Sequence, residues 1–397
     1  MKVHHKLFCP PEFIEGCGFI KRIVYTSIHL DYNRDTQHDK KIVVKSIVLL
    51  VFIILFSNLN ASIRALWVPI WEITSAEKVD AMMDELKGKN LNQLLIQVRY
   101  RGDAAYSPNL QDSTYANPEK RYHAISDSLF DPLEYIIFKA KMQNLEVHAW
   151  FPTFVITGHD LTRLDSTHVY FSHPEWVTSD FSKQPMKPKD DVGSFLDPGI
   201  PAVQDYTLNV ILDIVSNYDI DGFHFDYIRY PESHFGFNEL AMEAFQKEVK
   251  FQDAESWQNW KIDQVSRFVK RVNVEAKKIK PELQITAAVF PDPDNALERY
   301  LQNWSQWLEE GALDKVYLMA YTKSNEKLEE NLTFLENYNL SDKIVVGLRA
   351  WNSIDDYSAR DINEKLQIVK SRSFAGIALF SYSGLKQKKM FKKLKIN

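Results

Sequence analysis

Short apolar runs alternate along the chain with longer stretches whose apolar positions recur at helical spacing. The runs Ala65–Trp71, Gln93–Arg99, Glu146–Phe151, Gly222–Tyr227, Gln284–Phe290, Lys315–Tyr321, Ile344–Arg349 and Gly376–Phe380 read as strands. Helical patterns fall near Ala76–Lys89, Pro132–Gln143, Ala202–Asn217, Trp257–Lys280, Tyr300–Glu310, Asn325–Asn337 and Tyr357–Ser371, with a last short one at Leu385–Leu394. Strands separated by helices predict a parallel sheet, and eight such units in about 330 residues predict a (β/α)8 TIM barrel. The alternative is an open doubly wound sheet. It needs a glycine-rich phosphate turn after the first strand, and Trp71-Glu-Ile-Thr offers none. The segments Arg99 to Asp131, Pro152 to Pro201 and Ile228 to Trp257 are long, and they follow the second, third and fourth strands. In a barrel such loops crowd the mouth at the C-terminal ends of the strands, where active sites are built.

Alternation along each strand says which side chains enter the barrel. In the fourth strand Phe223, Phe225 and Tyr227 belong to the helix-covered face, so Gly222, His224 and Asp226 point inward. The second strand turns Gln97 and Arg99 inward, the third His148 and Trp150, the sixth Tyr317, Met319 and Tyr321, the seventh Gly347 and Arg349. In the fifth, Thr286 and Ala288 run on in parity toward Asp292, beyond Pro291. The mouth is therefore expected to hold Arg99, Trp150, Asp226, Tyr321 and Arg349, with Asp103, Asp197 and Asp292 nearby. An inward carboxylate is costly unless it is used or paired. For Asp226 the competing role is an ion pair with Arg229 or Arg99. For Asp292 it is a simple turn, and for Asp197-Pro-Gly a loop brace or helix cap. His148 and His224 read more readily as core histidines than as metal ligands, because no histidine–carboxylate cluster has metal spacing. Neither G-x-S-x-G nor a catalytic cysteine occurs.

Composition narrows the function classes. The chain has 397 residues, 45% hydrophobic and 25% charged, which is ordinary for a folded protein. A net charge of −5 excludes a nucleic-acid footprint. Residues 40–61 join a basic flank (Lys40, Lys41, Lys45) to an apolar run of ten, Ile47 to Phe56. That run is short for a membrane span, which takes about 20 residues, and suits a signal peptide. Ala61 fits a cleavage position, and an uncleaved anchor through residues 42–56 is the alternative. Residues 1–39 form a leader with no structural pattern and hold both cysteines, Cys9 and Cys17. The remainder, 62–397, is expected to be the barrel, exported to the periplasm, envelope or exterior. It carries no thiol and a charge of −8.

Several stretches resemble the glycosyl-hydrolase-like 10 family of exported bacterial proteins, a TIM-barrel group. They are Gln97-Val-Arg-Tyr-Arg-Gly-Asp-Ala104, Glu146-Val-His-Ala-Trp150, His173-Pro-Glu-Trp-Val177, Phe195-Leu-Asp-Pro-Gly199 and Asp221-Gly-Phe-His-Phe-Asp-Tyr-Ile-Arg-Tyr-Pro231. The resemblance covers Arg64 to Ser383 and implies hydrolysis of glycosidic bonds; some members act on peptidoglycan glycan strands stripped of their peptides. Members commonly read HFDDY after strand four, where this chain has His224-Phe-Asp-Tyr-Ile. The same segment is similar to the chitinase signature D-G-x-D-x-D-x-E, but its glutamate position is Ile228, which disfavours a substrate-assisted mechanism. Glycoside hydrolysis by two carboxylates then assigns Asp226 as nucleophile or base and Asp292 as acid. Arg99, Asp103, Trp150, His224, Tyr321 and Arg349 are the expected substrate-binding residues, on a polysaccharide or glycan strand and with no cofactor. The rival is a non-catalytic glycan-binding envelope barrel, which would release no reducing ends. A metal-dependent polysaccharide deacetylase is a third reading, disfavoured by the scattered histidines.

Overall fold

The computed structural model describes residues 62–251, 253–351 and 357–396. The expected leader, signal segment and anchor lie outside these residues. Eight parallel strands close into a barrel: β1 (Ile63–Val68), β2 (Gln93–Gln97), β3 (Glu146–Pro152), β4 (Gly222–Asp226), β5 (Gln284–Val289), β6 (Lys315–Ala320), β7 (Ile344–Arg349) and β8 (Gly376–Phe380). Consecutive strands are neighbours around the ring, and β8 closes on β1 through the register Ile63 to Gly376 and Leu66 to Leu379. The helices between them start where the sequence supplies a cap. Asp131 accepts the amides of Leu133 and Glu134 ahead of Pro132. Asp253 and Ser256 form a reciprocal capping box at the head of Ala254–Ile279, as Ser358 and Asp361 do at Ala359–Lys370.

Two segments differ from the expected elements. The single helix expected at Tyr300–Glu310 is two helices, Pro293–Tyr300 and Trp304–Glu309, because Leu301 takes a left-handed conformation (φ 57°) that ends the first. The long fourth connection holds an unanticipated helix, Glu239–Glu248, whose buried side chains are only Ala241 and Phe245. Asn238 caps it by accepting the Leu240 amide, and its residues are mostly strong helix formers.

The barrel interior mixes rings and polar groups with aliphatic side chains, Leu95 and Val345 among them. Near its floor the Gln93 side-chain amide bonds Glu146 (2.9 Å) and His148 (2.9 Å), and its carbonyl accepts from the Tyr317 hydroxyl. Above them Trp67 donates its indole N–H to His224 Nε2 (3.2 Å), and His224 Nδ1 meets Thr286 Oγ1 (2.9 Å). Rings fill the space so tightly that a Cβ on Gly222 would stand 2.4 Å from the His148 ring.

Beyond β2 the chain makes a small three-stranded sheet, with Arg99–Tyr100 antiparallel to Asp103–Ala104 and the latter parallel to Lys120–Arg121. One ion pair pins this sheet to the barrel. The Arg99 guanidinium, fully buried, sends Nε and Nη2 to the Glu119 carboxylate (2.6–3.0 Å) and Nη1 to the carbonyls of Pro152 (2.6 Å) and Thr153 (2.9 Å) at the end of β3. Glu119→Gln leaves that charge buried without a counter-ion. It is expected to lower the free energy of unfolding by about 3–5 kcal/mol, as read from urea denaturation.

Candidate active site

Asp226 is the last residue of β4 and stands partly exposed at the mouth. Its Oδ2 accepts the indole N–H of Trp150 (2.9 Å), and its Oδ1 accepts the amide of Tyr227 (2.8 Å). Tyr227 itself adopts a left-handed backbone (φ 48°). Such strain in a non-glycine residue recurs at functional sites. Neither ion pair considered for Asp226 forms. Arg99 is committed to Glu119. Arg229 donates to the carbonyls of Tyr230 and Pro231 (both 2.9 Å) and lies among the rings of Phe195, Tyr227, Phe290 and Tyr300 at 4.9–5.5 Å. Burial pushes the Asp226 carboxyl up, while the Trp150 and Tyr227 donors and the charges of Arg229 and Arg101 pull it back.

An unbroken run of rings leads from Asp226 across the mouth. Trp150 meets Phe380 edge-on (5.9 Å), Phe380 stacks on Tyr321 (5.2 Å), and both contact Trp351 (5.1–5.5 Å). Burial raises the Tyr321 phenol well above its ordinary value, and the Asp226 charge adds to this. Arg349 spreads over Trp351 at 4.4 Å and donates Nε to its carbonyl (3.2 Å).

On the other side, a cleft of about 760 Å³ opens between the second and third βα loops. Tyr100, Arg101, Asp103 and Tyr122 come from the first of these, and His159 and Arg163 from the other. Arg101 joins cleft to mouth: its guanidinium lies over Tyr100 (5.5 Å) and Tyr227 (5.7 Å). Its Nη1 is buried without a hydrogen-bond partner. Gly102 (φ 88°) makes the turn that follows, where any Cβ would strike His168 Nε2 at 2.4 Å. Asp103 stands on the return strand. It is 7% exposed, and its carboxyl accepts no hydrogen bond from any described residue. Burial and the negative charge of Glu119 push it up to about 7.

The structure thus gathers Asp226, Trp150, Tyr321 and Arg349 at the mouth and Asp103 in the adjoining cleft, and it separates four other candidates from them. Arg99 is a buried pin and is not available to substrate. His224 is buried beneath the mouth with both ring nitrogens bonded to Trp67 and Thr286; burial drives its pKa well down, so it is neutral core. Asp292 is exposed and caps the helix Pro293–Tyr300 through the amides of Asp294 and Asn295 (3.0 and 3.1 Å), which is the turn role rather than that of an acid in the mouth. Asp197 is a buried brace that accepts from Thr178, Gly199 and Tyr230 (2.9–3.0 Å). Arg101 and Glu119 were missed because both lie in aperiodic loop. The one signal present is that Arg101 and Asp103 flank the glycine of a tight turn just after an inward-facing strand end. Among the described residues no group of three or more His, Cys, Asp or Glu is placed to hold a metal ion.

Two variants check these placements. Asp292→Ala should cost about 1 kcal/mol of stability through the lost cap and leave turnover of a glycan substrate near wild type. Trp150→Phe removes a donor from the Asp226 carboxylate, so that carboxyl should titrate higher. If the ionised form is the active one, the acidic limb of the kcat/KM–pH profile moves to higher pH.

The sequence profile of the glycosyl hydrolase-like 10 family matches residues 62–366. The chain is 26% identical over 259 residues to glycosyl hydrolase YngK of Bacillus subtilis, a match covering 60% of this chain and 48% of that protein. It is 24% identical over 270 residues to glycosyl hydrolase DigH of Escherichia coli K12, covering 60% of this chain and 56% of that one. The chain therefore spans about half the length of the curated relatives it matches. Among solved structures, the glycoside hydrolase domain of PgaB (BpsB) from Bordetella bronchiseptica superposes with a TM-score of 0.67 at 12% identity, covering 84% of this chain and 97% of that domain. The catalytic domain of a β-amylase from Paenibacillus polymyxa gives a TM-score of 0.53 at 12% identity, covering 85% and 99%. At such identities these two report the barrel alone. With the barrel closed and the family's motifs gathered at one mouth, the chain belongs to the glycosyl hydrolase-like 10 family.

Proposed function

We propose that this protein is an exported glycoside hydrolase that cuts a polysaccharide of the bacterial cell envelope, with glycan strands freed of peptides as the first substrate to test. The observation that carries the reading is Asp226. A carboxylate at the end of a barrel strand, fixed through both oxygens and free of any ion pair with a described residue, is costly to keep unless something in the mouth uses it. Breaking an acetal requires negative charge beside an oxocarbenium-like carbon. Asp226 supplies that charge. The Trp150 and Tyr227 donors fix its orientation, and Arg229 and Arg101 favour its ionised form.

The surroundings suit a sugar ring, which has apolar C–H faces and a polar rim. The rings of Tyr321, Trp351 and Phe380 offer stacking surface on one side. The cleft with Arg101, Arg163 and Asp103 offers hydrogen-bonding groups on the other. The basic flank and apolar run of residues 40–56 support export, either as a cleaved signal or as a membrane tether.

The test uses the purified chain on isolated peptide-free glycan strands, scored by new reducing ends. Wild type should release them, and Asp226→Asn should lose about 10²- to 10⁴-fold in rate with an unchanged melting temperature. Saturable binding with no reducing ends from wild type would instead identify a glycan-binding barrel.

A further inference from the structure

We propose that Asp103, in the cleft beside the mouth, is the proton donor of the reaction, the group that delivers a proton to the leaving glycosidic oxygen. The inference rests on the glycosidase reading above and supplies the second carboxyl that reading lacks. It moves Asp103 from substrate binding to catalysis, and it assigns the acid to a different loop from the one that carries Asp292.

The argument is a contrast between two carboxyl groups. Asp226 receives two N–H donors and has two guanidinium groups near it, so its surroundings are built for an anion. Asp103 receives none from the described residues. Glu119 and Asp165 raise it, Arg99 alone among its named charged influences lowers it, and the Arg99 charge is already matched by Glu119. Arg101, Arg163 and Asp160, with His123, His159, Tyr100 and Tyr122, complete the titratable and charged lining of the cleft. The Asp103 carboxyl is thus held near pH 7 by burial first and Glu119 second. A substantial fraction of it therefore carries a proton at neutral pH, and it lines the cleft at 7% exposure. Paired carboxyls with environments that separate their protonation are how acid and base roles divide in such sites.

Asp103 is also held in place. It lies opposite Tyr100 in the small sheet, across the Arg101–Gly102 turn, and beside Lys120 in the parallel pairing. The Arg99–Glu119 pair fixes that sheet to the end of β3, which borders β4 and Asp226. Arg101 spans the gap, lining the cleft and lying over Tyr227.

In the step assigned, the bond between the anomeric carbon and the leaving oxygen breaks heterolytically. Its electron pair goes to that oxygen, which takes the Asp103 proton and departs as an alcohol. Water adds its oxygen to the anomeric carbon, and one water proton restores the acid, directly or through Asp226 and solvent. Atoms balance as one glycoside and one water giving two alcohols, with no other reactant.

The experiment compares two substrates. Peptide-free glycan strands carry a poor leaving group that needs the proton. The 2,4-dinitrophenyl glycoside of the sugar found at the new reducing end carries one that does not. Asp103→Asn should lose at least about 100-fold in kcat/KM on strands and stay within about tenfold of wild type on the aryl glycoside. Wild type should lose activity on strands as pH rises through about 7, since the protonated form is the active one, and the variant should lack that limb. Full activity of Asp103→Asn on strands, or an equal loss on both substrates, each overturns the proposal. A dead Asp226→Asn beside a fully active Asp103→Asn rejects the donor and keeps the glycosidase. No reducing ends from wild type rejects both.

Discussion

The Arg99–Glu119 pair is the constraint on which the site depends. A guanidinium removed from water is tolerable only when its charge is matched and its donors are used. Here Glu119 takes two of its nitrogens and two β3-end carbonyls take the third. The cost of breaking any of these bonds is what locates the loop after β2. From that location the rest follows: the tight Arg101–Gly102 turn, the return strand with Asp103, and a cleft against the third loop. The same pairing neutralises Arg99, and its Glu119 carboxylate adds to the burial that raises the Asp103 carboxyl.

The layer directly below the mouth is neutral. His224 accepts a hydrogen bond at Nε2 from Trp67, so its single ring proton sits on Nδ1 and faces Thr286. Burial keeps the ring neutral. With a neutral histidine, amides and indoles beneath it, Asp226 meets its counter-charges only from the loop residues Arg101 and Arg229. A carboxylate in that position feels changes in the loops more strongly than one over an ionic floor would, because little else screens it.

The barrel was legible because buried parallel strands are apolar runs and helix starts carry Ser, Asp or Asp-Pro signals. Parity along β4 was enough to aim Asp226 into the mouth, and parity along β3 placed Trp150 beside it. The same rule misled for Arg99 and His224. Alternation gives direction but not height, so it cannot separate a side chain at the rim from one sealed beneath the loops. Asp292 failed for another reason: parity was carried across Pro291, where the strand has already ended, and Asp292-Pro293 is itself a helix-start signal. Glu119 was invisible, and Arg101 was marked only by its place beside a turn glycine. Nothing periodic marks a loop, and their roles come from contacts with residues 20 or more positions away, as Glu119 with Arg99 and Arg101 with Tyr227.

The two sides of Asp226 are chemically unlike, and that asymmetry bears on what the mouth accepts. Toward β6, β7 and β8 the surface is rings: Tyr321, Trp351 and Phe380, with Arg349 lying flat on Trp351. Toward the second and third loops it is arginine, histidine and carboxyl. A flat apolar ligand would use only the first side, and a small anion only the second. A pyranose uses both, stacking its C–H face while its hydroxyls reach across. A chain of such rings, laid from the aromatic side into the cleft, would bring one of its linkages over Asp226. On the proposed reading, a glycan polymer crossing the mouth would engage both halves at once.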